Sequence, residues 1–244
     1  MGDERVSAPI HAELRYWVEL SRLLGDRRFR APERADGRRP VLLIPGFMAG
    51  DASLAVLAGW LRRRGHRVVT SGIRMNVDCA GSALERLDDA VSDFDEPVVV
   101  IGQSRGGTLA RALAARRPEA VAAVVTLGSP VLDPLAVSPA VLRTVRLVAA
   151  LGDLGVPRVF STACRDGDCC TEFHELLRAP HAPGVPALAV YSRSDAVVDW
   201  RACLDPHAEC VEVGGSHSGM AVNAAVYQEL ERLLDRSEEP AWSR

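Results

Sequence analysis

Lysine is absent from this chain of 244 residues, so all 29 strongly basic side chains are arginine. The absence excludes chemistry that needs a lysine amine, such as Schiff-base formation or phosphate binding by a nucleotide-binding loop. Acidic side chains nearly balance the arginines and leave a formal net charge of −3. A near-neutral chain gives no reason to expect a nucleic acid or another polyanion as a partner.

Long apolar runs are also missing. No segment approaches the roughly 18 consecutive apolar residues of a membrane span. The first residues, Met-Gly-Asp-Glu-Arg, are charged and do not resemble a secretory signal. We therefore expect no membrane span and a cytoplasmic location. Hydrophobic residues make up 48% of the chain, enough for one large core. The sequence carries no indication of an oligomeric state.

Cysteine is present in an even number, which is typical of disulfide-bonded secreted proteins, but the missing signal argues against that class. The six residues are Cys79, Cys164, Cys169, Cys170, Cys203 and Cys210. The 164–170 segment lacks the paired short spacings of structural zinc sites, and only His174 lies nearby. We therefore expect no metal ion and no cofactor. The sequence leaves two disulfides as alternatives: one that closes the 164–170 loop and one that joins Cys203 to Cys210.

Residues 1–40 are predicted to hold an N-terminal helix and an arginine-rich linker. The helix is expected at about 8–24, with one apolar face against the outside of the core. That face comprises Ile10, Leu14, Trp17 and Leu24. Residues 27–40 contain six arginines, two prolines and one glycine, a composition typical of a solvated linker.

From Val41 onward, short apolar strands alternate with amphipathic helices. This alternation predicts an α/β protein with a mostly parallel, doubly wound sheet flanked by helices. The predicted strands are 41–44, 67–70, 98–101, 121–127, 185–191 and 210–213. The core is expected to comprise 41–131 and 185–236, while 132–184 breaks the alternation.

One Gly-x-Ser-x-Gly motif, Gly102-Gln103-Ser104-Arg105-Gly106, stands between a predicted strand and a predicted helix. A sharp strand-to-helix turn exposes the hydroxyl of the central serine. Residues two before and two after it must be small, because a Cβ there would meet the backbone. A glycine-rich turn with an ordinary serine is the alternative, but the flanking elements favour Ser104 as a nucleophile.

Asp195 and His217 each follow a predicted strand further along the chain. Loops at the carboxyl ends of parallel strands lie at one edge of a sheet, so these residues can converge with Ser104. The order Ser, Asp, His is that of α/β-hydrolase triads. Asp199 is a rival to Asp195, and Asp133 is a weaker one.

The chain resembles the α/β-hydrolases of the bacterial lipase and esterase kind. The matching segments are residues 42–47, 102–107 and 126–130, together with the loops of Asp195 and His217. The resemblance implies the α/β-hydrolase fold and a serine-hydrolase site. It also implies that 132–184 forms a small cap over that site. Candidate wall residues in this segment are Leu142, Val145, Leu147 and Phe173, with ordinary packing between cap and sheet as the alternative.

A serine-hydrolase site assigns a role to each catalytic residue. His217 would take the Ser104 proton and later protonate the leaving group, while Asp195 would fix the imidazole tautomer. Tetrahedral intermediates also need an oxyanion hole. One backbone N–H is expected from Arg105, the residue after the nucleophile, and the family match assigns the other to Phe47.

Substrate contacts are expected from Phe47, Met48 and Gln103. The reaction favoured by the sequence is cleavage of a carboxylic ester through an acyl-enzyme. A thioesterase, an acyltransferase or an amidase would use the same acyl-enzyme, and a hydrolase-fold protein with a non-hydrolytic role is a third interpretation. The expected partner is a small-molecule acyl ester or thioester, whose acyl length and leaving group the sequence does not indicate.

Overall fold

Six strands form one parallel sheet in the computed structural model, which describes residues 6, 8–33, 39–165 and 167–237. The strands are β1 (Pro40–Ile44), β2 (Arg67–Thr70), β3 (Val98–Gln103), β4 (Val121–Leu127), β5 (Ala187–Tyr191) and β6 (Glu209–Glu212). Their spatial order is β2-β1-β3-β4-β5-β6, and each neighbouring pair is parallel. The predicted doubly wound α/β sheet is therefore confirmed.

Helices connect the strands and cover both faces of the sheet. They are α1 (Tyr16–Gly25), α2 (Arg27–Arg30), α3 (Ala55–Arg64), α4 (Ala80–Ser92), α5 (Arg105–Arg116), α6 (Pro139–Asp153), α7 (Thr171–Arg178) and α8 (Ala224–Ser237). Short 3-10 turns occupy Ile10–Arg15, Asp51–Leu54, Thr162–Arg165, Asp168–Cys170, Trp200–Cys203 and Met220–Val222. None of the helices in the described ranges is long and apolar enough to cross a membrane.

Alternation of side chains along the strands divides the core into two layers. Val41 and Leu43 of β1 pack into one cluster with side chains of α3 and α8. Leu42 and Ile44 pack into the other with side chains of α4, α5 and α7. A parallel sheet needs cover on both faces because its strands are apolar on both sides, and the crossover helices supply it.

The N-terminal helix does not pack against the core with the apolar face that the sequence predicts. Leu14, Trp17 and Leu24 are 72%, 69% and 52% exposed, so this prediction is wrong; the Ile10 side chain lies outside what the structure describes. The first residues form a 3-10 turn, and its period of about three residues breaks the helical phase assumed from Ile10. The inward face of α1 consists of Tyr16, Glu19, Leu20 and Leu23.

The predicted linker contains the short helix α2, and its residues 34–38 lie outside the described part of the chain. Asp26 caps α2, because its carboxylate accepts a hydrogen bond from the Arg28 N–H at 2.7 Å. The Arg63 guanidinium in turn donates to the Phe29 carbonyl at 2.8 Å. These contacts attach the end of the N-terminal region to α3.

Residues 132–184 contain two parts with different surroundings. The start of α6 lies beside the loop after β5, where the Ser138 N–H donates to the Val197 carbonyl at 2.8 Å. Its end touches the Phe160 backbone, since a Cβ on Gly152 would lie 2.2 Å from the Phe160 carbonyl oxygen. By contrast, α7 packs on α4 and α5, and Phe173 is buried in the core there. Phe173 is therefore a core residue and not a pocket wall, which agrees with the packing alternative for this position.

Candidate active site

Ser104 occupies a strained turn between β3 and α5. Its φ of 52° and ψ of −123° are sparsely populated for a residue with a side chain. A Cβ on Gly102 would lie 2.2 Å from the Gly106 carbonyl oxygen, and a Cβ on Gly106 would lie 2.2 Å from the Ile44 carbonyl oxygen. These approaches explain why both positions are glycine. The turn leaves Ser104 at the carboxyl edge of the sheet, at the start of α5.

Asp195 and His217 form a hydrogen-bonded pair at the same edge. The His217 Nδ1 lies 2.6 Å from the Asp195 Oδ2, and the two residues are 7% and 3% exposed. The other carboxylate oxygen of Asp195 accepts hydrogen bonds from the N–H groups of Val197 and Val198 at 2.8 and 2.7 Å. The backbone of its own loop therefore fixes the position of the carboxylate that contacts the imidazole.

The rival acids are engaged elsewhere. Asp199 caps the turn Trp200–Cys203, where its carboxylate accepts from the Arg201 N–H at 3.0 Å. The Asp133 carboxylate accepts from the Leu135 N–H at 3.0 Å. Of the three aspartates considered from sequence, the structure brings Asp195 to the histidine.

Two opposing effects act on the pKa of His217. Burial lowers it, because the charged imidazolium loses its hydration. The Asp195 charge, its hydrogen bond and the nearby Glu13 charge act in the other direction, and together they leave the pKa of His217 above its ordinary value. An imidazole with a raised pKa accepts a proton more readily, which suits a general base.

Close backbone approaches join the loops around Ser104. A Cβ on Gly46, in the loop after β1, would lie 3.3 Å from the Ser104 Cβ and 4.0 Å from its hydroxyl oxygen. A Cβ on Gly128, after β4, would lie 3.1 Å from the His217 Nδ1. The Gln103 side chain donates to the His217 carbonyl at 3.1 Å. The turn of Ser104 thus lies against both the β1 loop and the histidine loop.

Arg105 and Phe47 lie where two backbone donors are expected. Arg105 is the first residue of α5, so its N–H has no acceptor within the helix and sits at the positive end of the helix dipole. Phe47 directly follows Gly46, in the loop that touches Ser104. These placements are compatible with an oxyanion hole.

Comparison with known proteins identifies the fold that carries these residues. A sequence model described as the alpha/beta hydrolase fold matches residues 93–153, which include β3, the Ser104 turn, α5 and β4. The mature lipase BlEst2 of Bacillus licheniformis superposes with a TM-score of 0.59 at 14% identity, over 83% of this chain and 94% of that one. The chain has the α/β-hydrolase fold.

Other solved structures with this fold belong to proteins named for different activities. The carboxylesterase CesB of Bacillus subtilis superposes with a TM-score of 0.52 at 14% identity, over 92% of this chain and 98% of that one. The thioesterase domain from the curacin biosynthetic pathway does so with a TM-score of 0.52 at 16% identity, over 83% and 92%. No curated protein matches the sequence. Because the sequence identities are this low, the structural similarity establishes the α/β-hydrolase fold and nothing about the reaction.

Two glutamates that sequence analysis missed hold the histidine loop of this α/β-hydrolase fold. The Glu13 carboxylate accepts from the N–H groups of Ala196, His217 and Ser218, at 3.3, 3.1 and 2.8 Å. Glu19 is 8% exposed and accepts from both the N–H and the hydroxyl of Ser216 at 2.8 Å. The N-terminal segment therefore braces the loops of both Asp195 and His217.

Asn76 was also missed, and it braces the loop after β1. Its side chain donates to the Pro45 carbonyl at 2.7 Å and accepts a hydrogen bond from the Arg105 guanidinium. The same guanidinium donates to the Asp78 carbonyl. The Arg105 side chain therefore turns away from solvent and joins the start of α5 to the segment before α4.

The predicted substrate residues have different surroundings. Phe47 packs against Phe160 with ring centroids 6.1 Å apart, and Met48 is 47% exposed with a φ of 58°. The Gln103 amide is occupied by the His217 carbonyl. The Phe47 ring is thus packed on Phe160, Met48 is half exposed, and the Gln103 side chain contributes to loop placement.

Proposed function

We propose that this protein is a serine hydrolase that cleaves a carboxylic ester through an acyl-enzyme. The observation that supports the proposal is that the strained turn of Ser104 is linked to the Asp195–His217 pair, itself joined at 2.6 Å, by the hydrogen bond from Gln103 to the His217 carbonyl. The α/β-hydrolase fold supports a hydrolase reaction, while the specific ester chemistry rests on these residues.

In the proposed acylation step, the Ser104 hydroxyl oxygen attacks the ester carbonyl carbon, and His217 takes the hydroxyl proton. Asp195 keeps the imidazole in the tautomer that leaves its other nitrogen free to accept. The negative charge on the carbonyl oxygen is stabilised by the N–H groups of Phe47 and Arg105, and each such donor contributes about 3 kcal/mol to the transition state. The intermediate collapses as His217 returns the proton to the departing alcohol.

Deacylation reverses these roles with water as the nucleophile. His217 takes a proton from water, the hydroxide adds to the acyl carbonyl, and the proton passes back to the Ser104 oxygen as the acid leaves. The raised pKa of His217 supports both steps, because the imidazole must gain and lose one proton in each. Neither step needs a metal ion or a cofactor.

The surroundings favour an apolar acyl group. Phe47 follows Gly46, whose loop lies against Ser104, and it packs on Phe160, while its neighbour Met48 is half exposed; these apolar side chains support the proposal. We propose that residues 139–165, with α6, form the cap. The helix begins beside Val197 of the Asp195 loop and ends beside Phe160, which packs on Phe47, so it extends between two loops of the site. The cytoplasmic location expected from the sequence stays a prediction.

The proposal is tested with Ser104→Ala and a fluorophosphonate, which reacts with activated serines. The wild-type protein should label once per chain and hydrolyse p-nitrophenyl esters, and the variant should do neither. Ser92→Ala, on the exposed end of α4, is the matched control and should behave like wild type. Single-site labelling that persists in Ser104→Ala would exclude Ser104 as the nucleophile.

A panel of oxygen esters and thioesters of graded acyl length separates the related reactions. Faster turnover of oxygen esters at equal acyl length supports an esterase, and faster turnover of thioesters would replace that proposal with a thioesterase. Labelling of Ser104 without turnover of either class would indicate transfer to an acceptor other than water.

A further inference from the structure

Four of the six cysteines converge on the side of the site occupied by Arg105. The Sγ atoms of Cys79, Cys164, Cys169 and Cys170 all lie within 4.8 Å of one another. Two of the separations are 3.4 Å, between Cys79 and Cys170, and 3.9 Å, between Cys169 and Cys170. Cys79 is the residue before α4 and lies far in sequence from the other three cysteines. The spacing within 164–170 therefore gave no indication of a fourth sulfur.

The separations of the four sulfurs are compatible with a tetrahedral metal site. With Zn–S bonds of about 2.3 Å, the sulfurs of a zinc site with four thiolate ligands lie about 3.8 Å apart along each edge. The two measured separations fall on either side of this value. All six cysteines of the chain are free thiols in the structure, so neither the 164–170 disulfide nor the Cys203–Cys210 disulfide considered from sequence is present.

The backbone brings the two cysteine segments into contact by means of glycine. A Cβ on Gly81, in the first turn of α4, would lie 2.0 Å from the Cys169 carbonyl oxygen. A Cβ on Gly167 would lie 2.4 Å from the Ala163 carbonyl oxygen, which allows the tight connection between Cys164 and Cys169. Side chains at either glycine would separate the sulfurs.

The surroundings suit thiolate ligands. The Ser161 N–H points at the Cys164 sulfur at 3.4 Å, an N–H contact that a thiolate ligand can accept. One zinc ion with four thiolates carries a net charge of −2, which needs nearby cations. The Arg105 guanidinium donates to the carbonyl of Asp78, the residue before Cys79, and so supplies a positive charge beside the cluster. Cys169 is exposed, which leaves the cluster accessible to an incoming ion.

We propose that Cys79, Cys164, Cys169 and Cys170 bind one Zn²⁺ ion in a structural site made of four thiolates. The ion would join three segments of the chain: the start of α4, the turn Thr162–Arg165 and the turn before α7. The proposal does not depend on the ester chemistry, because no ligand of the ion takes part in it. A site with four protein ligands has no position left for water or substrate.

The metal content of the full-length protein, purified without chelators, tests the site. Wild type should contain about one zinc per chain by elemental mass spectrometry. Cys79→Ser and Cys164→Ser should each lower the zinc content about tenfold or more. Cys210→Ser is the matched control, because Cys210 lies outside the cluster, and it should keep its zinc.

A second measurement on the unmodified chain covers the case in which a variant fails to fold. After exchange with Co²⁺, the wild-type protein should show the visible absorption of tetrahedral cobalt with thiolate ligands. In denaturant with a chelator, all six thiols should react with a thiol reagent. Three results would overturn the proposal: no metal after dialysis against Zn²⁺, stoichiometric iron instead of zinc, or a disulfide among the four cysteines in the intact mass.

Discussion

Replacement of Asp195 by asparagine tests the proposed acid with almost no change in shape. One carboxylate oxygen accepts from the N–H groups of Val197 and Val198, and the other lies 2.6 Å from the His217 Nδ1. An amide has only one acceptor oxygen, and its NH2 group donates. Placing the oxygen toward the two N–H groups keeps two hydrogen bonds, whereas the opposite orientation would set donors against donors. The amide nitrogen of the substituted side chain should therefore face His217.

His217 would then have to accept at Nδ1 and carry its proton on the other nitrogen. In that tautomer it could not take the Ser104 proton, although the fold and the substrate contacts would be unchanged. A loss of this kind lowers kcat/KM by about 10⁴, which corresponds to about 5.4 kcal/mol at 1.36 kcal/mol per factor of ten. The buried position of Asp195 makes rescue by solvent ineffective, because only 3% of the residue is exposed.

The assay compares kcat/KM for a p-nitrophenyl ester and the rate of fluorophosphonate labelling, with circular dichroism to confirm folding. Asp199→Asn is the matched control. Its carboxylate caps the turn Trp200–Cys203, so this change should cost less than about tenfold in activity. Activity of Asp195→Asn within tenfold of wild type, or a larger loss in Asp199→Asn, would refute the assignment.

Two further predictions concern the carboxylates of Glu13, at the histidine loop, and of Asp205, in a buried ion pair. Glu13→Gln removes a charge that helps to raise the pKa of His217, so the acid limb of the pH profile of kcat/KM should move to lower pH; an unmoved limb would contradict this role. Asp205→Asn breaks a buried pair with Arg111 at 2.9 Å and should lower the free energy of unfolding, measured in urea, by about 3 kcal/mol. Burial acts to raise the pKa of Asp205, but hydrogen bonding and the charges of His181 and Arg111 hold it well below its usual range. In wild type, the stabilisation of the fold by ionised Asp205 is therefore complete above about pH 4 and is lost as the pH falls toward the folded-state pKa. The variant has no carboxyl group at this position and should lack this pH dependence.

The sheet and the serine turn could be predicted because their signals are local. Strands buried on both faces are continuous apolar runs, and the helices between them have one apolar side, so the sequence places each element within a few residues. The turn of Ser104 needs Gly102 and Gly106 for steric reasons that act within five residues. The pairing of Asp195 with His217 follows from strand order, since the carboxyl ends of parallel strands share one edge.

The bracing residues could not be predicted because their partners are distant in sequence. Glu13 and Glu19 look like ordinary polar positions of an amphipathic helix, and their hydrogen-bond donors include N–H groups of the loop at 216–218. Glu19 is buried and Trp17 is exposed, which reverses the rule that apolar side chains point inward. The N–H groups of the histidine loop have no partner within a strand or helix, and buried N–H groups require acceptors. Glu13 and Glu19 supply these acceptors, which explains the reversal.

The two halves of the candidate site are held by separate parts of the chain. Glu13 and Glu19 fix the loops that carry Asp195 and His217. On the opposite side, Asn76 and the Arg105 guanidinium fix the loop after β1, and that guanidinium also lies beside the cysteine cluster. The proposed hydrolase reaction requires both halves to keep their positions relative to Ser104, since a shift of about 1 Å in a catalytic group is costly. A bound zinc ion would therefore act on the side of the proposed oxyanion hole, through the Arg105 guanidinium that links α5 to Asn76. The side of Asp195 and His217 would depend on the N-terminal glutamates.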